Sequence, residues 1–258
     1  MRILMIGDII GRPGRRAVQA LVPSLRAEFN IDMVVANGEN AAGGFGITAE
    51  TAEEIFDAEV DVITTGDHAW DKQEVIPYMD DQERILRPLN YPPQVPGRGR
   101  HTAGNVTVIN LMGRVFMNVA LDCPFRTMDA LLELTAESAI TVVDFHAEAT
   151  SEKQALGWYL DGRVSAVVGT HTHVATADHR VLPKGTAYVS DLGMVGPINS
   201  VIGDDPDDVL ARFLYQMPRR LSVATGPVRL NSVMMDFDDQ TGRATAIQRI
   251  DRMMEYVG

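Results

Sequence analysis

Apolar residues along this chain fall into short runs that stop abruptly at glycine or a polar cluster, and between the runs the apolar spacing widens to that of a helix. Ile3-Leu4-Met5-Ile6, Met33-Val34-Val35-Ala36 and Val62-Ile63-Thr64-Thr65 read as buried strands near 2–6, 32–36 and 61–65. Helical patterns near 14–28, 48–58 and 71–80 alternate with them, the signature of βαβ units with right-handed crossovers. Further strands are expected near 105–110, 115–121, 140–145, 164–168, 186–190, 228–236 and 244–250, with helices near 127–138, 152–161 and 206–216. From 84 to 100, Pro88, Pro92, Pro93 and Pro96 break regular structure and predict a loop overhanging the strand ends. Periodicity supports an α/β class, and so many strands for so few helices point to two packed sheets with helices outside. No repeat, low-complexity tract or long linker divides the chain, so residues 1–258 are expected to form one domain.

The strand-like runs end alike, in a short segment rich in metal-capable side chains. Gly7-Asp8 succeeds the first, Asn37-Gly38-Glu39-Asn40 the second and Gly66-Asp67-His68 the third. Thr141-Val142-Val143-Asp144-Phe145 leads to His146-Ala147-Glu148, and Val164-Ser165-Ala166-Val167-Val168 leads to Gly169-Thr170-His171-Thr172-His173. Open α/β sheets place ligand sites outside the carboxyl ends of their strands, so these five ends should converge on one crevice. A turn at Gly169 is expected to free His171 and His173 to reach neighbouring ions instead of opposite faces. Pooled, the ends offer the carboxylates of Asp8, Glu39 and Asp67, the imidazoles of His146, His171 and His173, and the amide oxygen of Asn40, with no thiolate. That chemistry suits manganese, iron or zinc. Seven donors exceed one tetrahedral ion but fit two ions about 3.5–4 Å apart that share a carboxylate.

Taken singly, each residue has a plainer role. Asp8 and Asp67 can cap the segments after them, Glu39-Asn40 can form a polar turn, and His146 can be a satisfied core histidine. Separate roles of that kind do not account for seven donors at strand ends together. His101, in PGRGRHTAG, and His179, beyond the HxH step, are left to structural roles. Gly43-Gly44-Phe45-Gly46, before a helix start at Thr48, offers amides for an anion, but it lacks the spacing and lysine of a phosphate loop and reads first as a flexible turn. The run Asp204-Asp205-Pro206-Asp207-Asp208 reads as the cap and first turn of the helix near 206.

Charge narrows the partners. A formal charge of -12 and a pI of about 4.9 argue against sustained binding along a duplex, while a small nucleotide or an RNA end stays compatible. Bound ions would supply the positive field such a phosphate needs. Arg12, Arg15 and Arg16, and Arg98 and Arg100, read as solvated surface, although Arg12 is near enough to Asp8 to reach the crevice. The length and 45% hydrophobic content allow a core burying about 70–75% of the unfolded surface. A single cysteine, Cys123, allows no internal disulfide and fits a reducing cytoplasm. The opening MRILMIGD is interrupted too early for a signal-peptide core or a membrane span, so the protein is expected to be neither secreted nor membrane-embedded. A homo-oligomer is compatible with this sequence and not required by it.

The motifs GDIIGRPGRR, NGENAAGG, TTGDHAWD, DFHAEATSEK and GTHTHVATAD resemble those of the calcineurin-like metallophosphoesterases, and within them the YmdB-like branch, over nearly the whole chain. The broad superfamily runs D-x-H, GD, GNH, a lone His and GHxH. In this chain, as in the branch, Ile10 replaces the first-motif histidine, Glu39 replaces the bridging aspartate, and Asn40 stands in for the ligand Ile10 cannot supply. Asp67 departs from the branch, which usually has asparagine there, and adds a negative charge. The resemblance implies a four-layer α/β/β/α sandwich of two packed mixed sheets flanked by helices. It also implies that Asp8, Glu39, Asn40 and His173 hold one ion, that Glu39, Asp67, His146 and His171 hold the other, and that Glu39 bridges. His68 is then the candidate general acid.

The implied activity is hydrolysis of phosphodiesters, including 2′,3′-cyclic nucleotide monophosphates, by a hydroxide bridging two ions of iron or manganese. Phosphomonoester hydrolysis is the near alternative. A metal-dependent amidohydrolase on a (β/α)8 barrel would also combine HxH with aspartate, but typically after its first strand, whereas here HxH comes late. A regulatory protein that keeps the ions and works through a partner would share the same pocket, and turnover separates the two.

Overall fold

The computed structural model describes residues 1–134 and 139–255. Its strands are β1 (Arg2–Ile6), β2 (Asp8–Ile9), β3 (Met33–Asn37), β4 (Val62–Thr64), β5 (Ile85–Leu86), β6 (Arg100–Ala103), β7 (Val106–Met112) and β8 (Ile140–His146). They continue with β9 (Ala166–Thr170), β10 (Arg180–Val181), β11 (Ala187–Val189), β12 (Met194–Pro197), β13 (Val228–Leu230), β14 (Ser232–Phe237), β15 (Ala244–Arg249) and β16 (Arg252–Met254). The helices are α1 (Gly11–Phe29), α2 (Ala49–Asp57), α3 (Val75–Asp81), α4 (Pro124–Leu134), α5 (Thr150–Leu160) and α6 (Pro206–Tyr215).

Two six-stranded mixed sheets form the centre, in the orders β15-β14-β1-β3-β4-β5 and β10-β11-β9-β8-β7-β6. Each carries four parallel strands, so their carboxyl ends collect on one edge. The twofold alternation of the strands builds the layers. Leu4, Ile6, Val34 and Ala36 pack against Val18 and Val22 of α1 and Ile55 of α2. Their neighbours Ile3, Met5, Met33 and Val35 face Val108, Val142, Ala166 and Val168 of the second sheet. The far side of that sheet, Val143, Phe145 and Val167, meets Met128 of α4 and Leu156 and Leu160 of α5. The result is the expected α/β/β/α sandwich, with a third, four-stranded sheet β16-β13-β12-β2 added beside α1.

Several boundaries differ from the sequence reading. Residues 115–121 form no strand: Phe116 is left-handed at φ 62° and largely exposed, and the amides of Arg114 and Val115 donate to the Glu152 carboxylate instead of a neighbouring strand. The apolar alternation there has no sheet to bury against. The run 228–236 breaks at Asn231 because β13 belongs to the small sheet and β14 to the first. The helix expected over 71–80 starts only at Val75, since residues 67–74 are spent on turns beneath the site. Helix α4 covers the first part of the expected 127–138, and residues 135–138 lie outside the described residues. His101 sits in edge strand β6 rather than in a loop. The proline-rich segment is tied down by Asn90, whose amide donates to the carbonyls of Met112 and Asp122, and no residue from 88 to 100 lines the site pocket. It stays out of the cleft itself but approaches the strand ends through Tyr91, which packs on Trp70 at 5.8 Å and whose hydroxyl pKa is raised by burial and by the charges of Asp67 and Glu39.

Candidate metal centre

The five strand ends meet as the topology requires. Asp8, Glu39, Asn40 and His146 are buried, Asp67 is half-buried against His146, and His171 and His173 border a cleft of about 300 Å³ whose walls include Ile10, Phe45, His68 and Glu148. Glu39, Asp67, His146 and His171 each offer a donor atom within 4.8 Å of the others. His146 Nε2 lies 3.0 Å from both Glu39 Oε1 and Asp67 Oδ1, and His171 Nδ1 lies 3.0 Å from His146 Nε2. Next to this group, His173 Nε2 is 3.2 Å from Asn40 Nδ2 and 3.9 Å from Asp8 Oδ1. Close approach at the centre requires glycine: a Cβ on Gly66 would stand 2.2 Å from His146 Cδ2 and 2.5 Å from Glu39 Oε2.

Each histidine is anchored through one ring nitrogen, which points the other inward. The Thr170 hydroxyl donates to Asp144 Oδ1 at 2.7 Å, so toward His146 Nδ1, 2.9 Å away, it accepts, and that proton assignment leaves the His146 Nε2 lone pair facing Glu39 and Asp67. His173 Nδ1 donates to the Ile202 carbonyl at 2.7 Å. His171 Nε2 lies 3.2 Å from Glu148 Oε2. The turn that carries the pair is also fixed, but not by Gly169 as the sequence reading had it. Gly169 lies inside β9, where a Cβ would stand 1.8 Å from the Ser190 carbonyl oxygen; the left-handed residues are His171 and His173 themselves, at φ 102° and 64°. Asp191 holds the turn by accepting from the Thr172 amide and hydroxyl, and the buried Lys153 ammonium pairs with Asp191 at 2.7 Å.

The electrostatics match a cation site. Asp8 Oδ1 is buried with no hydrogen-bond donor, and burial pushes the Asp8 carboxyl up to about 8 against the opposing charge of His146. A positive ion there would restore the carboxylate. Burial also opposes ionisation of Asp67, but the hydrogen bonds and charge of His146 and His171 outweigh it and hold that carboxyl well below the usual range. For His146, burial disfavours the imidazolium while Glu39 and Asp67 favour it more strongly, so its pKa is raised well above the ordinary value. A proton and a metal ion therefore compete for the same Nε2 lone pair. Burial lowers the pKa of His173, keeping it in the neutral form a metal needs. Oxygen and imidazole donors without thiolate fit a hard or borderline divalent ion.

His68 stands at the rim. Its Nδ1 is 2.8 Å from Asp71 Oδ2, its amide donates to Glu39 Oε2, and its ring meets Phe45 edge-on at 5.3 Å. Burial alone would lower its pKa, but Glu39, Asp67 and Asp71 raise it. Sequence reasoning missed Asp71, Glu148, Thr170, Asp191 and Lys153 as supports; only Asp71, three residues from His68, carried a local signal. His101 and His179 lie outside the cleft, as expected. At the possible anion seat after Gly43, the Thr48 and Thr51 amides are already taken by a capping box at the α2 terminus. Asp205 caps α6 through the amides of Asp207 and Asp208.

Comparison with known proteins agrees with this geometry. The family model described as YmdB-like protein matches residues 4–250. A 2′,3′-cyclic-nucleotide 2′-phosphodiesterase of Bacillus subtilis is 47% identical over 255 residues, covering 97% of this chain and 96% of that protein. Among solved structures, a hypothetical protein from Thermus thermophilus superposes with a TM-score of 0.91 at 45% identity, covering 99% of each chain. A structure described as a novel phosphatase, from Mycoplasma pneumoniae, superposes with a TM-score of 0.93 at 31% identity, covering 99% of this chain and 94% of that one. With the motifs in order along the strands and their side chains gathered at one sheet edge, the chain belongs to the YmdB-like branch of the metallophosphoesterases.

Proposed function

We propose that this protein is a dinuclear metal-dependent phosphodiesterase, one domain throughout, that hydrolyses cyclic nucleotides, among them 2′,3′-cyclic monophosphates. The observation that supports this reading is the cluster of Glu39, Asp67, His146 and His171 donors, with the buried, donorless Oδ1 of Asp8 close to His173 beside it. Asp8, Glu39, Asn40 and His173 would hold one ion; Glu39, Asp67, His146 and His171 would hold the other. Exchanging the two ends of the Asn40 amide presents its oxygen. The donor chemistry favours iron or manganese, with zinc acceptable. When bound, the ions supply activated water and positive charge for the phosphoryl oxygens.

The protein's own groups do the rest. Asp71 orients the His68 ring through Nδ1 and helps keep it protonated, so that Nε2 can donate a proton to the departing ribose oxygen. Water's oxygen joins phosphorus and gives up one proton to solvent, the bond to the 2′ oxygen breaks, the His68 proton ends on that oxygen, and His68 takes a proton back from solvent. The substrate preference is supported by the name of the Bacillus subtilis relative. The relative described as a phosphatase favours a second reading, phosphomonoester turnover.

Elemental analysis with a screen over 2′,3′-cyclic nucleotides, linear diesters and monoesters tests both. Close to two ions per chain, with Glu39→Ala lowering both occupancies and Asp8→Ala chiefly one, is the expected result. One ion in fully loaded protein would sink the dinuclear reading, and turnover of monoesters alone would select the second.

A further inference from the structure

A groove of about 940 Å³ adjoins the metal centre and carries charge of the wrong sign for this chain. Arg12, Lys72, Arg212, Arg219 and Arg220 line it, no acidic residue does, and yet the protein as a whole carries a formal charge of -12. Among the described residues only Arg219 has a carboxylate partner, Asp208 at 2.8 Å; the other four cations pair with none. Four unpaired cations held side by side repel one another, and an anionic ligand removes that cost.

The groove and the centre are continuous. Phe45 lines both, Gly43 faces the groove and Gly44 the centre. Phe45 is 39% exposed and its edge-on partner is His68. A cationic channel beside an exposed aromatic ring is the combination that binds single-stranded nucleic acid, with phosphates on the cations and a base on the ring. A free cyclic mononucleotide carries one phosphate, which the reaction places at the ions, and leaves this groove unused.

Resting on the phosphodiesterase reading above, we infer that the substrate class is an oligoribonucleotide ending in a 2′,3′-cyclic phosphate, whose terminal base stacks on Phe45 and whose preceding phosphates lie along Arg12, Lys72, Arg212 and Arg220. Short single strands suit the overall negative charge, which would repel a long duplex while the groove attracts a few phosphates locally.

The test compares metal-loaded full-length protein with the variant R212A/R220A, two exposed positions away from the metal centre. Its substrates are a pentaribonucleotide 2′,3′-cyclic phosphate and the corresponding mononucleotide. Binding of a 5′-fluorescein pentaribonucleotide 3′-phosphate is followed in parallel by anisotropy. The variant should lose about tenfold or more in pentamer affinity and kcat/KM and keep mononucleotide turnover within about twofold. Its log-affinity slope against log salt should be shallower by about 1.4, at ~0.7 per phosphate contact. R212K/R220K should recover most of the loss.

Equal losses on both substrates, or pentamer binding that is absent or indifferent to the arginines, would overturn the groove assignment. Arginine-dependent binding of the pentamer without turnover of either substrate would leave the groove standing and overturn the phosphodiesterase reading instead.

Discussion

At the scale of single residues, His68 and Asp67 are adjacent in sequence and, on the proposed reading, opposite in task. Protonating a poor leaving group contributes about 10²–10⁴-fold, and an activated nitrophenolate needs little such help. His68→Ala should therefore retain its ions, lose most activity on a 2′,3′-cyclic nucleotide and lose distinctly less on bis-nitrophenyl phosphate. Equal loss on both with metal intact would make His68 a positioning group. On the proposed general-acid reading its acid form is required, so activity should fall as pH rises through its pKa. Asp71 is one of the groups that raise that pKa, so Asp71→Asn should move the alkaline limb of the rate profile to lower pH. On the proposed dinuclear reading Asp67 would act through charge: three carboxylates would leave two divalent ions one residual positive charge, and asparagine at 67 would leave two. Asp67→Asn should strengthen inhibition by inorganic phosphate. Unchanged or weaker inhibition with both ions bound would count against this account.

At the scale of elements, the HxH turn depends on a helix that contributes no ligand. Lys153 of α5 is 2% exposed and its ammonium meets Asp191, which in turn fixes Thr172 between the two histidines. Removing one partner of a buried pair strands the other charge and costs about 3–5 kcal/mol. Lys153→Met should lose about that much in urea unfolding and also weaken metal binding by loosening the turn. The surface pair of Arg252 with Glu28 is as close, at 2.8 Å, yet Arg252→Ala should cost about 0–1 kcal/mol because water reaches both ends. Comparable losses in the two variants would mean that Lys153 is not held in the low-dielectric interior its burial implies.

At the scale of the molecule, five segments spread between residues 8 and 173 deliver donors to one sheet edge, so the site exists only in the folded state. An ion that binds the folded chain alone stabilises it by about 2.7 kcal/mol at a hundredfold excess over its Kd, which for this length corresponds to about 5–11 °C in Tm. Chelation should lower the calorimetric Tm by that order, and re-addition should restore it. No shift would mean a site assembled without regard to the ion. The sequence by itself determined the strands that end in Asp8, Glu39, Asp67, His146 and the HxH pair, because alternation, glycine and donor chemistry are local and each run is long enough to show its period. It also determined the cap at Asp205 and the irregular chain around Pro88 to Pro96, though not strand β5 at Ile85–Leu86 within the stretch expected to be broken. Only the tertiary structure decided that 115–121 stays irregular, that Asn231 splits one apolar run between two sheets, and that His171 and His173 take the left-handed turn while Gly169 admits the Ser190 carbonyl. It alone brought Arg12, Lys72, Arg212 and Arg220 into one groove. Those four lie up to 208 positions apart in the chain. Each reads locally as an ordinary surface cation, and a field made by summing distant charges has no period and no motif for a sequence to display.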